Sequence, residues 1–248
     1  SELLDLLAKS SYFAAALLFI IGLMQMGSPV TAKRGIRWAG VGMVIATVVT
    51  FVAPSTWGSH GIDPVNLGLM VLAIVLSFVF WVWGKRVPIT DMPQMVAIFN
   101  GMGGGSAAAI GAYALINSAA HTGGCTPADM AAHACMDTTK LVLAVLGSLI
   151  GAVSFSGSVI AWAKLDGRLD KRFSFSGQQL VNLLVFVACL GLGAWLVFEL
   201  DVRVIIAFFV LTLIFGVLMT LPIGGADMPV VISLYNAFTG LAVAFKGY

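Results

Sequence analysis

The chain has 248 residues, 60% of them hydrophobic and 10% charged, with a formal net charge of +2 and a mean hydropathy of +1.02. A soluble domain carries about 25% charged residues, so a soluble globular fold is excluded. The small positive charge gives no basis for a nucleic-acid partner, because the basic residues sit in short connections between apolar runs.

Those runs predict an all-α integral membrane protein, a bundle of eight transmembrane helices forming one domain over 1–248. The expected spans are roughly 8–27, 38–54, 66–84, 93–117, 140–163, 178–198, 203–221 and 228–246. The first apolar run, Tyr12 to Met26, is flanked by Glu2 and Asp5 rather than by basic residues, so it reads as a retained span and not as a cleaved signal. Alternate connections differ in basic content. One side holds Lys33, Arg34, Arg37, Lys85, Arg86, Lys164, Arg168, Lys171 and Arg172, and the other holds Lys9, Lys140, Arg203 and Lys246. The positive-inside tendency places the richer side in the cytoplasm and the N-terminus outside. Eight spans leave both ends outside, and the close of the chain at Lys246-Gly247-Tyr248 reads as a cut before a natural end.

Two spans repeat each other. The fourth begins Asp91-Met92-Pro93 and carries Asn100 and Gly104; the eighth begins Asp227-Met228-Pro229 and carries Asn236 and Gly240. In both, Asn follows Asp by nine positions and Gly follows Asn by four. Asp two positions before Pro suits a helix start, where its carboxylate can accept a free backbone N–H. Nine residues rise about 13–14 Å, which brings each Asn near the middle of a roughly 30 Å hydrocarbon layer. Gly one turn on lies on the same face and lets another backbone approach. With Asp91 and Asp227 both on the inner face, the two copies run parallel.

No acid or base is expected in the middle of a span. Asn100 and Asn236 do not titrate, but each offers two donors and an acceptor and can hold water. A proton path needs a titratable group or ordered water in the membrane, so if protons cross here a buried acid–base group is expected from outside this chain. Among the other polar residues in spans (Asn117, Ser148, Asn182, Thr212, Thr220, Ser233, Thr239), Ser154-Phe155-Ser156-Gly157-Ser158 is the densest group. Serines in helices commonly bond back to their own carbonyls, but Ser158 lies at a depth where it can meet the fourth or eighth helix. The run Gly101-Met102-Gly103-Gly104-Gly105 lacks the strand and βαβ setting of a nucleotide loop, and reads as helix contact. The connection after the fourth span holds His121, Cys125, Asp129, His133, Cys135 and Asp137; a Cys125–Cys135 disulfide is open there, whereas the spacing fits no standard zinc pattern. His60 lies in the connection after the second span, and Cys189 reads as packing.

The stretch Ile223-Gly224-Gly225-Ala226-Asp227-Met228-Pro229-Val230-Val231-Ile232-Ser233-Leu234-Tyr235-Asn236 resembles the membrane domain of the beta subunit of proton-translocating NAD(P) transhydrogenases. So do Thr90 to Ile98, Gly151 to Ser158 continuing to Lys164-Leu165, and Thr31 to Lys33 with Ala39 to Met43. The order of apolar segments agrees along the whole chain. The resemblance implies a module that couples proton passage to hydride transfer between NAD(H) and NADP(H), both bound on soluble domains outside this chain. It implies a ninth span and an NADP(H)-binding domain absent here, so the chain alone holds no catalytic, cofactor or metal residue. It further implies an alpha-subunit partner, a homodimer of the complex, and a bacterial inner membrane with the N-terminus in the periplasm. By residue match, Asn236 corresponds to the channel asparagine, Asp227 to the inner-face acid and Ser158 to a channel serine; the internal repeat adds Asp91, the acid of the other copy, to the expected channel residues. Asn100 departs from the family, where many members carry histidine: either a histidine of the alpha partner is the proton carrier or the channel works differently, and the lack of titratable groups in mid-span points to the partner. Two other readings remain: a stand-alone secondary transporter using the repeats as halves, and a structural subunit whose asparagines hold helices together.

Overall fold

The computed structural model describes residues 2–53, 63–120, 136–169 and 171–247. Among these there is no strand, and eight helices are long and apolar enough to cross a membrane. They are α1 (Glu2–Met26), α2 (Ala32–Val52), α3 (Pro64–Gly84), α4 (Met92–Ala120), α5 (Thr138–Leu165), α6 (Gln178–Phe198), α7 (Val202–Thr220) and α8 (Met228–Lys246). The apolar runs mark the membrane-crossing part but not the helix ends. Thus α1 starts at Glu2 rather than at 8, and α2 takes in Lys33, Arg34 and Arg37. Glu, Lys and Arg are good helix formers and extend a helix past its apolar run; an Asp5–Lys9 pair at 2.7 Å, one turn apart, supports the start of α1. His60, His121, His133, Cys125 and Cys135 lie outside the described residues.

The chain divides into two compact units, Ser1–Trp83 and Gly84–Tyr248. In the first, α1 and α2 pair through small residues. A methyl group on Gly22 would lie 2.9 Å from the Gly35 carbonyl oxygen, and one on Gly42 would lie 3.0 Å from that of Ala15. The Tyr12 hydroxyl meets Thr50 Oγ1 at 3.0 Å across the pair. Helix α3 buries none of its residues.

In the second unit α5 is the central helix, packed by α4, α6, α7 and α8. Its sequence explains this position: Gly147, Gly151 and Gly157, with Ala144, Ala152 and Ala161, are small on several faces and let neighbours close in. One apolar cluster joins Leu141, Val145, Leu149 and Val153 of α5 to Cys189, Leu196, Ile205, Phe208 and Tyr235. Cys189 is a free, buried packing residue. A second, smaller cluster joins Ala97, Ala161, Met228 and Ile232.

The helix starts show which acids act as caps. Asp137 and Asp201 are extended, and their carboxylates accept from the backbone N–H groups of Lys140 (2.8 Å) and Arg203 (2.7 Å). The two repeated acids do not cap. Each ends a single 3-10 turn, Ile89–Asp91 or Gly225–Asp227, that runs straight into α4 or α8. Asp227 has φ −90° and ψ −5°, and its side chain makes no capping bond. In that helical conformation the carboxylate does not turn back toward the next amides. The expected cap is therefore replaced by a 3-10 entry, with Pro tolerated in the first turn of α8.

Candidate functional site

Helices α4, α5 and α8 meet around a buried polar cluster. On α4 the buried residues are Ala97, Asn100, Gly101, Gly104, Ala107, Gly111, Leu115 and Ser118, a stripe at three- and four-residue spacing. Most are small, so the backbone of α5 comes close. Methyl groups on Gly104 and Gly151 would lie 2.9 Å and 2.8 Å from each other's carbonyl oxygens. The glycine run thus serves helix contact.

That approach carries Asn100 to α5. Its Nδ2 donates to Ser158 Oγ at 2.9 Å and reaches Ser154 Oγ at 3.5 Å. Ser154 in turn donates to the Tyr235 carbonyl oxygen at 3.0 Å and shares a 2.6 Å bond with Thr239 Oγ1, which brings in α8. Ser154 and Ser158 are fully buried. Ser156 between them bonds back to the Ala152 carbonyl, as serines in helices commonly do. The Asn100 side-chain oxygen is buried and has no partner among the described residues. An orphaned acceptor of this kind costs about 1–3 kcal/mol if left dry, so it is the natural seat for a water or an incoming donor.

The second asparagine goes elsewhere. Asn236 is exposed at the surface of its unit, on the face of α8 that also carries Ser233, Ala237 and Gly240. A methyl group on Gly240 would meet nothing within 4 Å. Asn100 and Ser158 are brought together; Asn236 does not join them. Tyr235 takes the inward position on α8. It is fully buried, and its hydroxyl meets Thr220 Oγ1 at 2.6 Å.

Asp91 and Asp227 are both exposed. Asp91 Oδ1 accepts from its neighbour Thr90 Oγ1 at 3.1 Å, and Asp227 Oδ2 lies 3.8 Å from an Arg172 guanidinium nitrogen. Next to the second acid, Lys164 is buried and ties α5 to the turn before α8. Its ammonium donates to the carbonyl oxygens of Leu221 and Ile223, the latter at 2.6 Å.

Two participants were not expected from the sequence: Thr239 and Lys164. Thr239 was findable, because Met228, Ile232, Tyr235, Thr239 and Ala242 form a helical stripe one residue out of step with Asn236 and Gly240. Lys164 reads as a connection charge, since hydropathy does not tell which way a terminal side chain folds.

Comparison with known proteins adds the family. The family profile described as NAD(P) transhydrogenase beta subunit matches residues 8–248. The NAD(P) transhydrogenase subunit beta of Rhodospirillum rubrum is 34% identical over 244 residues, covering 98% of this chain and 49% of that protein. A second sequence, from a defined strain of the same species, matches with the same values. The chain spans about half the length of the curated relatives it matches.

Proposed function

Because the chain belongs to the NAD(P) transhydrogenase beta-subunit family, we propose that it is the proton-conducting membrane module of such an enzyme. In this reading, proton passage through it is coupled to hydride transfer between NAD(H) and NADP(H), both bound on domains outside this chain. The observation that supports it most directly is the cluster Asn100–Ser158–Ser154–Thr239. Uncharged hydrogen-bonding side chains from three membrane-crossing helices are gathered in the interior, with one acceptor left open. Buried polar groups at such depth are costly and usually functional.

In the proposed cycle, water held at Asn100 passes protons toward the inner face, where Asp227 lies next to the turn held by Lys164. The charge state of that face alters NADP(H) affinity, and NADP(H) occupancy alters proton access by the same coupling energy. Asn236 contributes from the open face of α8, where helices of an alpha partner or of further beta chain pack. The membrane is the bacterial inner membrane, with the N-terminus in the periplasm.

The transporter reading requires the two repeats to build one site between them. Their asparagines face different surroundings, one buried and one exposed, which disfavours it. The test is the complete complex in liposomes with Asn100→Leu and Asn236→Leu. Each change is expected to lower proton translocation and coupled hydride transfer about tenfold or more, a barrier change of about 1.4 kcal/mol or more. Normal pumping in both variants overturns the channel role.

A further inference from the structure

The central cluster of Asn100, Ser154, Ser158 and Thr239 contains no group that can itself hold a proton at ordinary pH. The opposite end of the same three helices has one. Lys246, in the last turn of α8, does not extend outward but folds back into the bundle, half-buried. Its Nζ donates to the Ala144 carbonyl oxygen at 2.7 Å and to Ser148 Oγ at 3.0 Å, both on α5. The notch it occupies is cut by two glycines on two helices. A methyl group on Gly147 would press on Lys246 Cε at 3.0 Å, and one on Gly111 of α4 would collide with both Nζ and Ser148 Oγ.

Both hydrogen-bond partners of the ammonium are neutral. Among the described residues no carboxylate pairs with Lys246. Among the described residues, the groups beside it are Tyr113 and Asn117 from α4 and Lys140 and Ser148 from α5. Beside it opens a cavity of about 290 Å³ lined by Tyr113, Asn117, Ser118, Lys140 and Lys246 among others. Liquid water takes about 30 Å³ per molecule, so the cavity has room for several. Gly111 is eleven residues beyond Asn100, so Lys246 stands about 16 Å further along α4. The Gly104–Gly151 crossing lies between the two sites.

We propose that Lys246 is a proton-binding residue of this chain on the far side of the glycine crossing from Asn100, exchanging protons with water in the adjoining cavity. The proposal rests on the proton-path reading above and supplies the titratable group that reading lacks. In the step, an ammonium N–H bond breaks, the proton passes to a cavity water, and the electron pair stays on Nζ. The neutral amine later takes a proton from a water, and an N–H bond re-forms. Lysine can make this exchange where arginine, charged at every accessible pH, cannot.

The test is the complete complex in liposomes, with proton translocation and coupled hydride transfer followed from pH 6 to 10. Wild type is compared with Lys246→Gln, which keeps hydrogen-bonding capacity, and Lys246→Arg, which keeps the charge. Both variants are expected to lose tenfold or more of the coupled rate and to flatten its pH dependence. A Lys246→Cys variant treated with 2-bromoethylamine regains an amine and is expected to regain rate and pH profile, whereas treatment with iodoacetamide restores neither. That pair decides the matter even where the glutamine and arginine forms assemble badly. A wild-type profile in Lys246→Gln, in Lys246→Arg or in the iodoacetamide product overturns the role. A wild-type complex that moves no protons overturns the underlying reading instead.

Discussion

Helices α4 and α8 begin alike and end up opposed. Both follow a 3-10 turn closed by Asp, both continue Met-Pro, and both place Asn nine and Gly thirteen residues after the Asp. Yet Asn100 and Gly104 are buried against α5, while Asn236 and Gly240 are exposed. Counted from the Asp, α4 turns positions 6, 9, 13, 16 and 20 inward (Ala97, Asn100, Gly104, Ala107, Gly111), whereas α8 turns 1, 5, 8 and 15 inward (Met228, Ile232, Tyr235, Ala242). Between the two stripes lies a shift of one residue, or about 100° around the helix axis. A repeated pattern sets local structure and depth; the neighbours decide which face is buried.

The largest effect that follows is at the glycines. Gly104→Ala places a methyl group 2.9 Å from the Gly151 carbonyl oxygen and 3.0 Å from the Phe155 nitrogen, both backbone and unable to step aside cheaply. Overpacking of this kind costs about 1–3 kcal/mol. The matching change Gly240→Ala meets open space within this chain. Denaturant titration of the two purified variants in detergent is expected to show a clear loss for the first and none for the second. Equal losses erase the contrast.

A smaller effect is expected beside Asn236. Tyr235→Phe keeps the ring in the notch formed by Gly157 but removes the hydroxyl from Thr220, which retains its 2.8 Å bond to the Gly216 carbonyl oxygen. The loss should be about 0.5–1.5 kcal/mol in the same titration. Asn236→Leu should cost this chain nothing in stability, because Asn236 is exposed. If it destabilises more than Tyr235→Phe, the inward and outward assignments on α8 are reversed.

The sequence made the eight helices legible because hydropathy over about twenty residues is a direct reading of membrane thickness. It also made the Asn100–Ser158 pairing approachable, since both lie at matching depth on helices rich in small residues. The outward turn of Asn236 was harder to see. The repeat invited symmetry, and only the spacing of Met228, Ile232, Tyr235 and Ala242 opposed it. The Asp caps failed for a local reason: whether a carboxylate caps depends on its own φ and ψ, and Asp91 and Asp227 close a 3-10 turn where Asp137 and Asp201 stand extended. Lys246 was hidden because its inward fold depends on Gly111 and Gly147 from two other helices.

The smallest effect lies where the two copies agree. Asp91 and Asp227 are both exposed; among the described residues one meets its neighbour Thr90, and the other has a loose pairing with Arg172 at 3.8 Å. Exposed pairs of this geometry contribute about 0–1 kcal/mol and are screened by salt. Arg172→Gln and Asp227→Asn are therefore expected to leave detergent unfolding of the chain unchanged within error, at low and high salt alike. Asp91→Asn should behave the same way. The acids then stand as charges the fold does not need. Under the proposed function, Asp227→Asn in the complete complex is expected to alter the coupling of proton movement to NADP(H) binding. A large stability loss in Asp227→Asn makes the residue a structural anchor and separates the two copies at their starts as well as at their middles.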